Sequence, residues 1–168
     1  NHQGVIAIAA LVQYTDLQQV IDHVVGEGRI PLFIMLDGVT DVRNIGAIAR
    51  SAVCCGAQAL IIPDKGVGAL NEETMKSSAG ALEQVYISRV NSLAQAVDTL
   101  HLNGIKVFTA EMKAPVKVFS MGFEEPCCII MGNEEKGVQH FLSKAADGHF
   151  SIPIAGDFDS FNVSVAAG

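Results

Sequence analysis

A chain of 168 residues with 49% hydrophobic and 17% charged side chains has the size and composition of one domain with a large core, which excludes disorder. No apolar run approaches the roughly 18 residues that a membrane span requires. The net charge of −7 excludes a broad phosphate-binding surface, so any contact with RNA or DNA is local or comes from another chain or domain. The chain opens on Asn1 without a signal-peptide pattern, and its four cysteines form two adjacent pairs, Cys54-Cys55 and Cys127-Cys128. Without C-x₂-C spacing they read as buried thiols in a reducing cytoplasm, not as zinc ligands or a redox motif.

Taken in chain order, apolar runs alternate with helical stretches, and Gly, Pro, Asn and Asp mark the joints. After "GVIAIAAL", Thr15 or Asp16 caps a helix through "LQQVIDHVVGEG", and "IPLFIMLDG" follows as the continuous apolar strand of a parallel sheet. "NIGAIARSAVCCG" is a helix closed by Gly56, and "AQALIIP" the next strand. The helical "NEETMKSSAGALE", the strand "QVYISRV", a helix capped by Ser92 and the strand "IKVFTAE" come next. An irregular piece around Pro115 leads to "CCIIMG", the helix "VQHFLSKAAD", the short strand "HFSIPI" and the closing "DSFNVSVAAG". The rhythm is that of an α/β domain, without internal repeat or linker.

In such folds the ligand lies beyond the C-terminal ends of the strands, and three loops there stand out. The first, "DGVTDVRNIGAIARSA", carries Gly46, Ala47 and Ala49 in the early turns, where small side chains admit another backbone or a ligand. Arg43 and Arg50 fall nearly on one face, roughly 10 Å apart along a helix axis, and suit an anion; alternatively they are solvated or paired to Asp41 and Asp37.

The second loop, "IIMGNEEKGVQ", lacks the G-K-[ST] of a phosphate loop, and Glu134 and Glu135 would repel phosphate. Such carboxylates favour a ligand with donors or positive charge, or hold an arginine; a solvated turn is the alternative. The nearest approach to a dinucleotide fingerprint is "GVGALN", too weak to support an oxidoreductase. In the third region Pro153 and Gly156 interrupt a strand before Ser160, Asn162 and Ser164. The alternation of Phe161, Val163 and Val165 with Ser160, Asn162 and Ser164 fits a half-buried strand, while as a helix Asp159 or Ser160 is the expected cap, with Phe161 and Val165 as the buried stripe. The five scattered histidines offer no metal cluster, and no Ser-His-Asp or Cys-His arrangement is apparent.

"NIGAIARSA", "IIMGNEEKGV" and "IPIAGDFDSFNVSVA", in this order, resemble the three motifs of the SpoU-type RNA 2′-O-ribose methyltransferases of the SPOUT superfamily. "NHQG" at Asn1–Gly4 is similar to the entry of the catalytic domain in the branch acting on large-subunit ribosomal RNA guanosine, and "SSAGAL" to a further family segment. The resemblance implies a SPOUT fold, a parallel-sheet α/β domain with a C-terminal trefoil knot, which binds S-adenosylmethionine and works as a homodimer. It implies transfer of a methyl group to a ribose 2′-hydroxyl, with ribosomal RNA as substrate and transfer RNA as the alternative, and needs no metal. A non-catalytic RNA-binding or assembly module of the same fold is the competing class.

By motif position the resemblance makes Asn44, Arg50, Glu134, Ser160 and Asn162 the catalytic set. It makes Thr109, Ala110, Glu111, Gly132, Ile152 and Phe161 the cofactor contacts, largely through main chain. A guanidinium stays protonated and makes a poor general base, so Arg50 is assigned to the target phosphate and the developing alkoxide, with Asn44 and Glu134 orienting it. Phe161 stands where leucine is usual, and Glu135 where a glycine commonly follows the first glutamate, which would stiffen the loop. The 168 residues correspond to the catalytic domain; the resemblance places a small N-terminal RNA-binding domain and the end of a C-terminal helix outside them.

Overall fold

The computed structural model describes residues 12–67 and 70–168; the segments "NHQG" and "GVIAIAAL" up to Leu11, and Gly68–Ala69 of "GVGALN", lie outside the described residues. The element order begins α1 (Leu17–Gly26), β1 (Leu32–Asp37), α2 (Val42–Cys54), β2 (Ala59–Pro63), α3 (Glu72–Ser78) and β3 (Tyr86–Val90). It continues α4 (Leu93–Leu102), β4 (Lys106–Ala110), β5 (Cys127–Gly132), α5 (His140–Ala145), β6 (Gly148–Phe150) and α6 (Val163–Ala166). Asp16 caps α1 and Ser92 caps α4, each accepting a backbone amide three residues on. The turn after α2 closes at Gly56, whose φ of 84° is open to glycine and strained for other residues.

The strands form one sheet in the order β3-β2-β1-β5-β4-β6, with every pairing parallel. Burial on both faces explains the unbroken apolar run of β1. Phe33 and Met35 enter one core cluster with Val20, Val24, Val97 and Leu100, while Ile34 and Leu36 enter another with Ile45, Ile48, Ile87 and Val163. The sheet is thus covered by α1 and α4 on one side and by α2 on the other. The order reverses between β1 and β5, so the ends of these two neighbours mark the switch point where ligands of open α/β sheets bind.

Gly46 explains how α2 sits on α3. A Cβ there would lie 1.9 Å from Ser77 Oγ and 2.6 Å from the Thr74 carbonyl oxygen, so its smallness serves another backbone and not a ligand. "SSAGAL" supplies the Ser77 side chain of that contact, and Thr74 just before it the backbone.

Several expectations change. Cys127 and Cys128 are buried in β5 and burial pushes both thiols up, but Cys54 and Cys55 are exposed, because they follow Ala52, the last buried residue of α2. The helix expected from Val138 begins at His140, because Gln139 is its N-cap with a non-helical ψ of 142°, its amide donating to Asp37 at 2.7 Å. The closing helix is capped by Asn162, not by Asp159 or Ser160, and starts at Val163. That start turns Val163 into the core and leaves Phe161 40% and Val165 62% exposed, reversing the expected buried stripe. No helix among the described residues is long and apolar enough to cross a membrane.

Candidate active site

At the ends of β4 and β5 lies a cleft of about 680 Å³, walled by the loop after β5 and by the segment running from β6 to α6. That size falls within the range of small-molecule sites. Its rim mixes carboxylates (Glu111, Glu134, Glu135 and Asp159) with the cations Lys113, Lys117 and Lys136.

The floor depends on Gly132. A Cβ at that position would meet the carbonyl carbon of Gly137 at 2.3 Å and the amide nitrogen of Val138 at 2.4 Å, so only glycine lets the loop fold back over the end of β5. Asn133 holds the fold-back. Its Oδ1 accepts from the amides of Glu135 and Lys136 at 2.8 and 3.1 Å, its carbonyl accepts from Gly137 at 2.8 Å, and its Nδ2 donates to the Gly38 carbonyl at 3.0 Å. Asn133 therefore ties the loop after β5 to the loop after β1. Sequence reasoning missed it, although Asn directly after a strand-ending glycine is a turn signal.

The switch point itself is closed by a second tie. Both oxygens of the buried Asp37 carboxylate accept from Gln139, Oδ2 from its amide at 2.7 Å and Oδ1 from its Nε2 at 2.6 Å. The usable space is consequently displaced toward β4, where Glu111 is held by Ser143 Oγ at 3.0 Å, by His149 Nδ1 at 2.7 Å and by Thr109 Oγ1.

Glu134 crosses the cleft. Its Oε1 accepts from the Val163 amide at 3.1 Å, so the loop after β5 and the first turn of α6 are one assembly. The carboxylate of Glu134 is accordingly directed at α6 and not at Arg50.

Of the residues singled out by sequence, Ala110, Glu111, Gly132, Glu134, Ile152, Ser160 and Phe161 line this cleft together. Thr109 does not: it is fully buried, and its hydroxyl supports Glu111 and His149 from below. Asn162 is turned to its own helix, its Oδ1 accepting from the Ser164 amide at 2.9 Å. Asn44 is half-buried and Arg50 exposed on α2, and neither lines the cleft. Arg43 is engaged by Asp41 at 3.3 Å and Glu73 at 3.7 Å, which leaves no arginine pair for an anion; Asp37, the other expected partner, is held by Gln139. The Arg43 amide and guanidinium hold the Asp41 carboxyl below its usual range. Among the described residues no cluster of His, Cys, Asp and Glu is arranged to hold a metal ion.

The model of the SpoU rRNA methylase family matches residues 31–168, nearly the whole described fold. The chain belongs to that family. It is 34% identical, over all of its length and 68% of the relative's, to the 23S rRNA (guanosine-2′-O-)-methyltransferase RlmB of Vibrio parahaemolyticus. It is also 34% identical to the uncharacterized tRNA/rRNA methyltransferase slr0955 of Synechocystis, covering 99% of this chain and 44% of the relative. Among solved structures it is similar to the SpoU methyltransferase AviRb from Streptomyces viridochromogenes in complex with AdoMet. The TM-score is 0.76 at 29% identity, covering 82% of this chain and 54% of that one. The chain thus spans about half the length of slr0955 and of AviRb. As a SpoU family member it keeps the parallel-sheet α/β architecture, with the second and third motifs facing each other across the cleft.

Proposed function

We propose that this chain is the catalytic domain of an enzyme that transfers a methyl group from S-adenosylmethionine to a ribose 2′-hydroxyl of ribosomal RNA, on a guanosine of the large subunit. The observation carrying this reading is the convergence of Gly132, Glu134, Ile152, Ser160 and Phe161, from two separate motifs of a SpoU family chain, on one cleft. The relative named as an RlmB supports the ribose and the guanosine; the tRNA/rRNA wording of slr0955 keeps transfer RNA as the second reading.

The residues present suit adenosylmethionine. A sulfonium and an ammonium favour a rim carrying carboxylates, a carboxylate favours the lysines, and exposed backbone beside Gly132 offers donors and acceptors to an adenine edge. Bound there, it supplies the electrophilic methyl group of an in-line displacement. The chain supplies alignment, which accounts for much of the acceleration in such reactions. Gly132 and Ile152 would hold the cofactor through main chain, Phe161 would give an apolar wall, and Ser160 would offer a hydroxyl. Glu134, bonded to Val163, keeps both walls at a fixed distance. Arg50 neutralises the target phosphate and the developing alkoxide, and Asn44 positions it.

Arg50 lies outside its own chain's cleft, so the homodimer is part of the proposal: a second copy is what brings a guanidinium to each cleft. A trefoil knot is proposed as well. It is supported by the path of residues 151–162, which leave the sheet edge at β6 and return past the ends of β4 and β5 to pack α6 on α2. With a net charge of −7, RNA affinity is assigned largely to residues outside the 168, in keeping with the greater length of the relatives, and the enzyme to the cytoplasm. Mapping 2′-O-methylation across total RNA with and without the gene tests the function: one ribosomal guanosine loses its methyl group, whereas an unchanged map overturns the reading.

A further inference from the structure

We propose that the smaller cavity at the ends of β1, β2 and β3 receives an RNA nucleotide next to the one that is methylated, its base stacked on Phe141 and its phosphate on Lys65. This rests on the methyltransferase reading above.

The cavity has a volume of about 330 Å³ and is bounded by Asp37, Gly38 and Thr40, by Pro63 and Lys65–Val67, by Asn91–Leu93, and by Gln139 and Phe141. It adjoins the larger cleft. Asp37 pairs in register with Gly132, so the two floors are one strand apart, about 4.8 Å. Consecutive residues face the two spaces: Val138 lines the larger and Gln139 the smaller. A single strand with its target ribose at the cleft has this cavity within reach of the adjoining nucleotide.

The lining suits a nucleotide. Leu142 is fully buried, yet its neighbour Phe141 is 47% exposed at the cavity, an apolar ring held in reach of solvent. Base stacking on such a ring is sequence-tolerant and contributes substantially to single-strand binding. Lys65 is exposed and makes no ion pair with any described residue. The side chains of Thr40 and Asn91 have no hydrogen-bond partner among the described residues. Gln139 spends its amide NH₂ on Asp37, which leaves its carbonyl oxygen as an acceptor for a base edge.

The single carboxylate of the lining does not oppose a phosphate strongly: Asp37 is 2% exposed and both its oxygens are bonded to Gln139. In a chain of net charge −7, a lone cation beside an aromatic ring is the kind of local RNA contact the composition requires.

The test measures binding of a short single-stranded RNA carrying the target guanosine, by fluorescence anisotropy at saturating adenosylmethionine, to the full chain and to Phe141→Ala, Phe141→Trp and Lys65→Ala. Calorimetry of adenosylmethionine runs in parallel. The expected result is about tenfold weaker RNA binding for Phe141→Ala, recovery with Phe141→Trp, and a salt slope smaller by about one for Lys65→Ala, with adenosylmethionine affinity unchanged. RNA affinity equal in all four proteins overturns the subsite and leaves the methyltransferase reading standing. Parallel loss of RNA and adenosylmethionine binding in Phe141→Ala also overturns it, since Phe141 then only supports α5. Competition by free guanosine monophosphate at the affinity of the RNA replaces the subsite with a small-nucleotide site. A full chain that binds no adenosylmethionine sinks the methyltransferase reading and the subsite together.

Discussion

Glu134 Oε1 accepts a hydrogen bond from the Val163 amide at 3.1 Å, so a carboxylate from the loop after β5 caps the first turn of α6 across the candidate active site. A carboxylate beside the free amides of a helix start is favourable both as an acceptor and against the helix dipole. Glu134→Ala therefore loosens α6 and costs about 1 kcal/mol of stability, while Glu134→Gln, which keeps an acceptor oxygen, recovers most of it. Urea denaturation of both variants checks this. Equal losses would mean that the charge, not the bond, fastens the two walls.

The two glycines of the second motif stand there for different reasons. Gly137 has φ of 68° with open space around its missing Cβ, so Gly137→Ala costs only backbone strain, about 1–2 kcal/mol. Gly132 has no positive φ, but its Cβ would be driven to 2.3 Å from the Gly137 backbone. Overpacking against backbone costs about 3 kcal/mol or displaces the loop, so Gly132→Ala is the more harmful change. Calorimetric titration with adenosylmethionine separates them: binding persists, weakened, in Gly137→Ala and is lost in Gly132→Ala.

Asp147 ties the edge of the sheet to α4. Its Oδ2 accepts from the Val107 amide at 2.7 Å and meets His101 Nε2 at 2.8 Å. Burial pushes its pKa up, but the Val107 amide and His101 outweigh burial and hold the carboxyl below its usual range. A depressed folded-state pKa means stability that is present above the unfolded value, about 4, and is lost as pH falls through the folded value. Thermal unfolding from pH 6 down to pH 2 tests it: Asp147→Asn unfolds at lower temperature at pH 6 and converges with the unchanged chain at the acid end.

The fold was legible because its signals are local. The apolar run at β1, the caps Asp16 and Ser92 and the turn at Gly56 each identify an element without reference to the rest of the chain. The closing helix is legible as a helix, but its cap is not, because Asp159, Ser160 and Asn162 are all good capping residues within one turn. What placed Val163 in the core is the capping geometry of Asn162 together with packing on α2, neither of which is a periodicity. The cleft was half legible: glycine and glutamate were conspicuous, while Asn133, Asp37 and Gln139 act through partners far along the chain. Such pairings exist only once the strand order brings β1 beside β5.

The position of Arg50 yields the sharpest prediction. The guanidinium is exposed on α2, and its own chain's cleft is lined without it. If a second copy supplies it, Arg50→Ala and Glu134→Ala impair different halves of the same composite site. Each variant alone has every cleft defective. In a mixture that exchanges subunits, a mixed dimer has one cleft with both residues intact and one with neither. Methyl transfer to ribosomal RNA, followed with radiolabelled adenosylmethionine, is therefore low for either variant alone and rises when the two are mixed. A mixture no more active than its components places Arg50 and Glu134 in the same chain's site, and requires α2 to move toward the cleft when RNA binds. Arg50→Lys refines the result. A retained charge without the planar fork gives intermediate turnover if phosphate binding is the role, because lysine neutralises a phosphate but forms no bidentate contact.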